Sequence, residues 1–503
     1  MLWGFNSVSE GGLLHLRYAR PRSNCGVDRE VRGSPPRAVR FGSHVGRHGG
    51  ETPRRGAAGR RRPTPGRRRR ISILSSDTRY EWIVRVPFVE DRSSKGCVLP
   101  ETGDLIWPGG GYAGHKDRLP FRFQAFVPDA IAQWDEKLSP RAVEALGDAT
   151  ANLHIVQSTV AQDLEVLAAP LLRAEALGSS FIEGLRASNK RLALTAYEPA
   201  AAGPVARAVL GNVRAMERAI ELGSAPGVFA LEALLDIHRT LLEGTSEERY
   251  AGRIRDEQSW IGGRGLSPRD ATFVPPPHEL VGDLLDDLTE FVNRDHVPAV
   301  AQAALAHAQL ETIHPFGDGN GRAGRCLIHV VLRRRRLTPV LVPPISVVLA
   351  TDAGSYIAGL VDHREARYDD WIGYFADQVS AACHATVRLH AKITALLEEL
   401  TTRAGSPRSD SVARKIVLSL PSQTIVSAHT AASRHGVTPT AARSALNRLE
   451  AAGVLSLIRI GRRRDREWAS NELFQLLDAF EHDLGEPPGG SKARARPPSA
   501  ARR

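Results

Sequence analysis

Cysteine and long apolar runs are both scarce in this sequence of 503 residues. Its four cysteines, at positions 25, 97, 326 and 383, show no CxxC pairing, which leaves a disulfide framework and a structural zinc site without support. The longest apolar runs, such as Cys326 to Leu332, fall far short of the roughly 18 to 20 residues that a membrane span requires. Glu10 and a glycine pair interrupt the first apolar residues before the h-region of a signal peptide could form. We therefore expect a cytoplasmic protein with no membrane partner.

Lysine is absent from the first 70 residues, and the positive charge of the chain is concentrated there. That segment holds 17 arginines and 4 acidic residues, a net charge of +13, whereas the whole chain carries +11. The remaining 433 residues therefore sum to −2. The high overall basicity describes one arm, and it indicates nothing about the partner of the folded part.

Regular periodicity is missing from the same arm. From Met1 to about Gly111 the sequence is rich in Arg, Gly, Pro and Ser, and we predict that residues 1–114 form a largely disordered basic extension. The arm could bind nucleic acid or a membrane surface, or it could simply be a solvated extension. A further alternative is a true start downstream at a non-Met codon, because Met1 and Met216 are the only methionines.

Helical patterns dominate from Phe121 onward. Ser139 followed by Pro140 is typical of a helix N-cap and first turn, and amphipathic stretches recur as far as about residue 400. We predict a mainly α fold with one irregular β-hairpin at Gln258–Pro277, whose edge could bind an extended peptide. The predicted units are an N-terminal helical region at 115–225, a second helical domain at 226–400, a smaller domain at 408–484 and a disordered tail at 485–503.

One loop between two predicted helices concentrates chemically distinctive residues. Its glycines allow the backbone to approach a ligand closely, and a helix that begins near Asn320 directs its free amides towards an anion. Arg322 and Arg325 lie three residues apart, on one face of that helix, where two guanidinium groups suit a polyphosphate. Asp318 is an oxygen ligand suited to Mg²⁺, and the side chain of His314 suits a general base. The whole loop is His314-Pro315-Phe316-Gly317-Asp318-Gly319-Asn320-Gly321-Arg322-Ala323-Gly324-Arg325.

This loop resembles the signature of the Fic family, HxFx(D/E)GNGRxxR, and matches it at every defined position. The resemblance covers roughly residues 115–390, because Phe121–Glu198 is similar to the family's N-terminal helical region and Gln258–Pro277 to its target-positioning flap. It implies that the protein transfers AMP from ATP to a Ser, Thr or Tyr hydroxyl of a target protein. The phosphorylating branch of the superfamily has an altered, Lys-containing loop, and the intact Gly321 and Arg322 argue against that chemistry.

The resemblance also implies a role for each residue of the loop. His314 would accept the proton of the attacking hydroxyl, and Phe316 would anchor the loop in the core. Asp318 would hold Mg²⁺ on the α- and β-phosphates, Arg322 would stabilise developing charge and Arg325 would bind the γ-phosphate. The predicted nucleotide-binding residues are Gly317, Gly319, Asn320, Gly321, Arg322 and Arg325.

A second motif, upstream of the loop, points to self-inhibition. The segment Ser179–Gly184 matches the family's inhibitory pattern (S/T)xxxE(G/N), with Ser179, Glu183 and Gly184 in the defined places. Taken alone, Glu183 would more often be an acid on a helix surface. In the context of the loop we expect its carboxylate to pair with Arg325 and to occupy the site of the γ-phosphate.

The C-terminal domain has the pattern of a winged helix-turn-helix. The predicted order is a helix at Val412–Leu420, a helix at Ala428–His435, a turn, a helix at Thr440–Ala452 and a strand pair. Winged helices also serve as protein-docking modules, which leaves that alternative open. The candidate DNA contacts lie on the recognition-type helix and at the tip of the wing, namely Arg443, Asn447, Arg448, Arg462, Arg463 and Arg464.

Two functions from different classes stay open at this point. The first is a protein adenylyltransferase that uses ATP and Mg²⁺, acts on an unidentified protein and is inhibited by Glu183. The alternative is a DNA-binding transcriptional regulator whose loop senses ATP or modifies only itself. The intact His314 favours the enzyme, because a sensor needs no base there. A homodimer is compatible with both functions, and we assign the nearby His307, His329 and Cys326 to packing.

Overall fold

The architecture is mainly helical. The computed structural model describes residues 101–107, 119–159, 164–199, 202–262, 267–458 and 466–484. The predicted basic arm up to residue 100 and the tail at 485–503 lie outside the described residues. Within the described ranges the helices, in chain order, are α1 (Pro140–Thr159), α2 (Leu164–Ile182), α3 (Asn189–Tyr197), α4 (Pro204–Ser224), α5 (Leu231–Leu242), α6 (Val281–Val292), α7 (Ala299–Ile313), α8 (Asn320–Arg334), α9 (Ile345–Thr351), α10 (Ala353–Arg364), α11 (Tyr368–Arg403), α12 (Val412–Ser419), α13 (Ala428–His435), α14 (Pro439–Ala451) and α15 (Asn471–Leu484).

Two adjacent helices, α7 and α8, lie at the centre of the larger domain. The residues of α7 from Val300 to Ile313 are buried, as expected for a helix without a polar face that is surrounded by other elements. Helix α8 packs against it and is buried from Asn320 to Leu332. On the other side, Trp371 of α11 donates a hydrogen bond from Nε1 to the Ala304 carbonyl of α7 at 2.9 Å. The loop that joins α7 to α8 is therefore anchored at both ends in the core.

Helices α2 and α4 bring the N-terminal helical region onto α8. Leu167 and Leu171 on α2 and Met216 on α4 are fully buried. Helix α2 also lies against α9, where a Cβ on Gly178 would stand 2.6 Å from the Val347 nitrogen. That close approach requires glycine, and it holds the last turn of α2 near the loop.

Two strands precede α1. Strand β1 (Glu101–Trp107) pairs antiparallel with β2 (Phe121–Val127), so that Trp107 lies opposite Phe121. Strand β1 lies inside the segment 1–114, which we predicted to be largely disordered, and the prediction is wrong for these seven residues. The physical reason is that β1 is stabilised by pairing with β2, which lies beyond residue 114. The sequence of β1 alone does not reveal that pairing.

The predicted hairpin at Gln258–Pro277 has an irregular form. Ile261 and Phe273 make a single antiparallel bridge, and residues 263–266 between them lie outside the described ranges. The second arm of the hairpin, the inner one, is joined to β2 by a hydrogen bond from the Phe126 amide to the Val274 carbonyl at 2.9 Å. Gln258–Gly262 is thus the outer arm of this flap.

The C-terminal domain places three short helices beside a small sheet. Strands β3 (Ile425–Ser427), β4 (Ser456–Ile458) and β5 (Glu467–Ala469) pair antiparallel in the order β3–β5–β4. Side chains cap the helices: Ser427 forms a capping box with Thr430, and Thr438 accepts from the Ala441 amide at the start of α14. Helices α12, α13 and α14 begin and end within about a residue of the predicted positions.

Within the described ranges, no single helix is long and apolar enough to cross a membrane. Helices α9 and α10 together meet the requirements of length and composition, but the chain bends by 103° between them. Most residues of α9 are buried inside the domain.

Candidate active site

The loop between α7 and α8 begins with a left-handed residue, His314. Its φ and ψ angles are 49° and 59°, and its amide donates to the Leu310 carbonyl at 2.9 Å, which ends α7. The left-handed conformation costs a non-glycine residue of order 1–3 kcal/mol, and such residues often lie at functional sites. The turn takes His314 out of the packed surface of α7 and places it at the mouth of the loop.

Phe316 and Asn320 fix the shape of the loop. Phe316 is fully buried, and its amide and carbonyl form hydrogen bonds of 2.8 Å with Oδ1 and Nδ2 of Asn320. Phe316 also forms a β-bridge with Ile254. The predicted anchoring role of Phe316 agrees with this geometry. We predicted that Asn320 binds the nucleotide; its side chain holds the loop, and its backbone amide lies in the first turn of α8.

The first turn of α8 forms an anion-binding end. Gly319 precedes it with φ of 80° and ψ of 10°, a conformation that favours glycine. The amides of a first helical turn have no intrahelical partner, and the helix dipole adds positive potential there. At Gly317 the reason for glycine is packing, because a Cβ would lie 2.5 Å from the ring of Tyr250.

His238 on α5 supports the loop, although the sequence did not reveal it. The Gly252 amide donates to Nδ1 of His238 at 3.0 Å, so Nε2 carries the proton and donates to the Asp318 carbonyl at 2.8 Å. The imidazole stacks on Phe316 with 3.7 Å between ring centroids. Burial lowers the pKa of His238 to about 4, which keeps the ring neutral. Nothing in the helical pattern of α5 distinguishes this residue from an ordinary core histidine.

Arg255 is a second support that the sequence did not reveal, and it joins the loop to the flap. Its Nε donates to the His314 carbonyl at 2.9 Å, and its amide donates to the Pro315 carbonyl at 2.9 Å. Its Nη2 donates to the carbonyl of Pro276 in the flap. Burial lowers the pKa of Arg255 to about 10, so it remains a cation at neutral pH.

The imidazole of His314 is neutral at neutral pH. Burial, and then the charge of Arg255, lower its pKa to about 4, although the Glu183 carboxylate partly opposes them. A neutral imidazole can accept a proton. A polyphosphate beside the ring would raise this pKa, because added negative charge favours the imidazolium form.

Asp318 is the carboxylate available to a divalent cation. Its Oδ1 accepts from the Gly319 amide at 2.7 Å, its Oδ2 lies 3.5 Å from Nη2 of Arg322, and its side chain is 43% exposed. Among the described residues, no group of three or more His, Cys, Asp or Glu could hold a metal ion. Mg²⁺ bound together with a nucleotide needs only one or two carboxylates, because phosphates and waters complete its shell. The residues present fit that mode of binding.

Arg325 is a buried cation, with its side chain only 1% exposed. Its Nε donates to Oγ of Ser179 at 2.9 Å, and its Nη2 donates to the Ser179 carbonyl at 3.0 Å and to Oε1 of Glu183 at 2.7 Å. Arg322 is also buried and lies beside Asp318. We predicted that the two arginines bracket one ligand. Arg325 contacts the inhibitory segment, as expected from the pairing predicted for Glu183, while Arg322 lies with the loop.

Glu183 occupies the anion-binding end of α8. Gly184, with φ of 76°, turns the chain after α2, and the Leu185 amide closes the turn on the Ser180 carbonyl at 3.0 Å. A Cβ on Gly321 would lie 2.0 Å from Oε1 of Glu183, so the carboxylate lies directly against the first turn of α8. Burial alone would raise the pKa of Glu183, but Arg325 outweighs it and the pKa is lowered. The carboxylate is therefore ionised where an anionic ligand would bind.

A second polar contact between α2 and α8 lies one helical turn further from the loop. Glu175 is fully buried, and its Oε1 lies 2.7 Å from Nε2 of His329. Its Oε2 accepts from the Ser346 amide of α9 at 2.7 Å. His329 therefore belongs to a structural network, as its assignment to packing anticipated. Buried His307, which lies 2.8 Å from the Tyr356 hydroxyl, has a similar place in the core.

The residues singled out in the sequence fall into two separate places. The loop residues from His314 to Arg325 and the inhibitory residues Ser179, Glu183 and Gly184 form one site. Arg443, Asn447 and Arg448 lie on the exposed face of α14 in the C-terminal domain, and Arg462, Arg463 and Arg464 lie outside the described ranges. The hairpin of β4 and β5 is tied to α14, because Glu450 accepts from Nη2 of Arg466 at 2.9 Å and from Nε1 of Trp468 at 2.7 Å.

Two family models match this chain. Residues 228–332 match the Fic/DOC family and residues 142–221 match the Fic/DOC family N-terminal region. The first match contains the loop and the second contains the inhibitory segment. These two regions of the chain are thus similar to the two parts of the Fic/DOC family.

Relatives with assigned names are similar over the same part of the chain. Protein adenylyltransferase fic-1 of Caenorhabditis elegans is 29% identical over 156 residues, which is 29% of this chain and 29% of the relative. Protein adenylyltransferase Fic of Drosophila virilis is 34% identical over 116 residues, 22% of each chain. The alignments thus span less than a third of either relative. The crystal structure of a Fic family protein from Desulfovibrio desulfuricans G20 aligns with a TM-score of 0.42 at 19% identity, over 67% of this chain and 98% of that one.

Proposed function

We propose that this protein transfers AMP from ATP to a hydroxyl group of a protein side chain, and that Glu183 restrains the transfer. One observation carries the proposal. A single short loop has a neutral histidine at its first residue and leads into a helix N-terminus that holds two buried arginines. The named relatives support the same chemistry, since they are called protein adenylyltransferases.

His314 would act as the general base. Its neutral imidazole takes the proton from the target hydroxyl, and the hydroxyl oxygen attacks the α-phosphorus of ATP. A bond forms between that oxygen and the α-phosphorus, the bond to the bridging oxygen breaks, and pyrophosphate leaves with the electron pair. The pKa of about 4 in the ligand-free site makes His314 a weak base. The charge of the bound triphosphate raises that pKa and strengthens the base where it is needed.

The first turn of α8 would stabilise the charge that develops on the phosphates. Its free amides would point towards the phosphate chain, and Arg322 and Arg325, both buried, would add two positive charges. A bound Mg²⁺ would neutralise part of the phosphate charge, and Asp318 is the residue that would hold it. His238 and Arg255 contribute indirectly, because they fix the carbonyls of Asp318 and His314 and hence the shape of the loop.

Inhibition follows from competition for one guanidinium group. Nη2 of Arg325 donates to Glu183 at 2.7 Å, so it cannot also bind the γ-phosphate in a bidentate way. ATP would then be excluded or bound in a pose that does not align the α-phosphate with the target hydroxyl. Withdrawal of the Glu183 carboxylate makes both the arginine and the helix end available.

The outer arm of the flap is where we propose that a target chain binds. The inner arm already has backbone partners on both sides. Phe273 pairs with Ile261 of the outer arm, and the Val274 carbonyl accepts from Phe126 of β2. An extended target segment would therefore add to Gln258–Gly262 by backbone hydrogen bonds. That arm is joined to the base through Arg255, which contacts Glu257, Pro276 and the His314 carbonyl.

A labelling experiment tests the transfer. Glu183→Gly protein is incubated with ATP that carries ³²P either at the α- or at the γ-phosphate, and the same is done with the Glu183→Gly/His314→Ala double variant. We expect label in protein only from α-labelled ATP and only when His314 is present. Label from γ-labelled ATP would show that the protein phosphorylates its target and does not transfer AMP. ATP binding without any label would favour the nucleotide-sensor function.

We propose a second function for the C-terminal domain, as a winged helix-turn-helix that binds DNA. The exposed Arg443, Asn447 and Arg448 lie together on α14, with a hairpin fastened beside it through Glu450. Electrophoretic mobility shift at two salt concentrations tests it, since neutralising phosphate contacts makes affinity fall steeply with salt. If the protein does not bind DNA even at low salt, the DNA-binding proposal is refuted and a protein-docking module is favoured.

A further inference from the structure

Arg325 is held from two different sides. The contacts of Nε and Nη2 are with the inhibitory segment at the end of α2, through Ser179 and Glu183. Nη1 instead points to the catalytic domain, where it lies 3.4 Å from the Tyr356 hydroxyl on α10 and 3.7 Å from Oε1 of Glu311 on α7. The two sides of one guanidinium group thus belong to two separate parts of the protein.

Only the second side survives when the inhibitory segment withdraws. Loss of Glu183 and Ser179 would remove the contacts of the inhibitory segment from a cation whose side chain is 1% exposed. A buried charge without a partner is strongly unfavourable and tends to move or to draw in water. Glu311, three residues before His314 and only 11% exposed, is the acid that stays in place. Tyr356 is itself fixed by His307 at 2.8 Å.

We propose that Glu311 is a positioning residue that holds Nη1 of Arg325, so that Nη2 exchanges the Glu183 carboxylate for the γ-phosphate of ATP. This inference rests on the proposed ATP site. Glu311 does not touch the nucleotide, and it acts only through the arginine. Tyr356 shares the task by receiving a hydrogen bond from the same nitrogen.

The surroundings of Glu311 make it a partner that does not neutralise Arg325 completely. Burial raises the pKa of Glu311 to about 7, against the lowering effect of Arg325 and Arg364, and with a further raising effect of Glu183. At neutral pH the carboxyl group is therefore partly protonated. It orients the guanidinium while leaving much of the positive charge for a phosphate.

The selectivity for ATP over ADP tests the proposal without any transfer reaction. The parent protein is Glu183→Gly/His314→Ala, and binding of ATP and ADP with Mg²⁺ is measured by calorimetry. We expect the parent to prefer ATP, and Glu311→Gln to lose about tenfold in ATP affinity with little change for ADP, as loss of one charged contact would produce. Tyr356→Phe should show a smaller loss of the same kind, and it carries the test if Glu311→Gln does not fold.

Glu175→Gln in the same parent is the matched control, since Glu175 is equally buried but contacts His329 instead of Arg325. It should leave the ratio of ATP to ADP affinity unchanged. Equal losses for both nucleotides in Glu311→Gln, or a parent without preference for ATP, would overturn the proposal. Failure of AMP transfer would appear instead as an unlabelled Glu183→Gly protein, so the two failures can be told apart.

Independent contacts lead to a second inference, which concerns the segments on either side of the inhibitory motif. Before the motif, Arg173 of α2 is half-buried, and its Nη1 and Nη2 donate to the carbonyls of Pro421 and Ser422 in the C-terminal domain at 3.4 and 3.3 Å. Burial lowers the pKa of Arg173 to about 10, and the guanidinium stays charged at neutral pH. The inhibitory helix is thus attached to the domain that follows α11.

After the motif, Asn189 at the start of α3 is attached to the same domain. Its amide and its Nδ2 both donate to Oδ1 of Asp478 at 2.9 Å, and Nδ2 also donates to Oε1 of Glu481 at 2.8 Å. Asn189 is buried, so these hydrogen bonds are largely protected from water. Only a few residues separate it from Gly184. We infer that the C-terminal domain holds Glu183 against Arg325 by fixing the chain on both sides of it.

Asn189→Ala in the full chain tests this inference. The substitution removes both Nδ2 hydrogen bonds and keeps the contact of the backbone amide. We expect automodification with α-labelled ATP to rise at least about fivefold in the chain that keeps Glu183, and not to change in Glu183→Gly. Asp478→Ala should behave in the same way, and Arg191→Ala, an exposed residue on the same helix whose side chain makes no hydrogen bond with the described residues of the C-terminal domain, is the control. A similar change in both backgrounds, or no change in either, would overturn it. An unlabelled Glu183→Gly protein would instead refute the transfer itself.

Discussion

The contacts of Glu183 allow an estimate of how much the rate of automodification rises when its carboxylate is removed. The contact is a charge-assisted hydrogen bond of 2.7 Å to a buried arginine, a class of interaction worth about 1.5–3 kcal/mol. The Glu183 side chain is 37% exposed, so solvent screening places it near the lower end, at about 1.5–2 kcal/mol. That is about a 10- to 30-fold factor in the competition with ATP. We expect initial rates of automodification from α-labelled ATP to rise by this factor in Glu183→Gly.

A neutral side chain of the same size separates charge from occupancy. Glu183→Gln keeps a group against Gly321 but loses the ionic contact with Arg325, so its rate should lie between those of the native chain and Glu183→Gly. Far-ultraviolet circular dichroism and thermal unfolding establish that each variant is folded. A folded Glu183→Gly protein with native labelling, or with less, would refute the idea that this carboxylate competes with the nucleotide.

Three further predictions concern the base, the loop and the C-terminal domain. The pKa of His314 in the ligand-free site is about 4, so kcat/KM of Glu183→Gly should stay level from pH 8 to about 5 and fall as the pH drops through 4, where protonation removes the acceptor. A break near pH 6.5 would show that the site does not lower this pKa. Asn320→Ala removes both hydrogen bonds to Phe316, so labelling should fall at least tenfold, with a decrease in thermal stability. Arg443→Ala with Arg448→Ala should weaken DNA binding and reduce the slope of log affinity against log salt by about two, as electrophoretic titration would measure; an unchanged slope would remove α14 from the interface.

The chemistry of the loop could be predicted from the sequence because it is encoded locally. The glycines, Asp318 and the two arginines lie within a dozen consecutive residues, so their order alone restricts what the loop can bind. The inhibitory pairing of Glu183 with Arg325 spans 142 residues, and it became predictable only through a family pattern, since no local rule links those positions. The structure brings the two side chains together as expected.

The supports of the loop could not be predicted in the same way. His238 and Arg255 act through backbone carbonyls of the loop, and a carbonyl has the same chemistry at every position. No residue type therefore identifies the partner in advance. The same reason applies to Arg173, whose acceptors are two backbone carbonyls in the C-terminal domain. Strand β1 was missed because its pairing partner, not its own sequence, determines its conformation.

The inhibitory contact has a strength that suits a switch better than a permanent block. A competition of about 2 kcal/mol leaves about 3% of molecules with Arg325 free, enough for slow activity and for a large increase when the contact is lost. Each tie between the C-terminal domain and the inhibitory segment is a hydrogen bond worth about 1 kcal/mol, so breaking one or two of them would shift most of that balance. A much stronger pairing would make such ties irrelevant, and a much weaker one would leave nothing to release. If Asn189→Ala changes labelling only when Glu183 is present, the C-terminal domain and the inhibitory glutamate act on the same equilibrium.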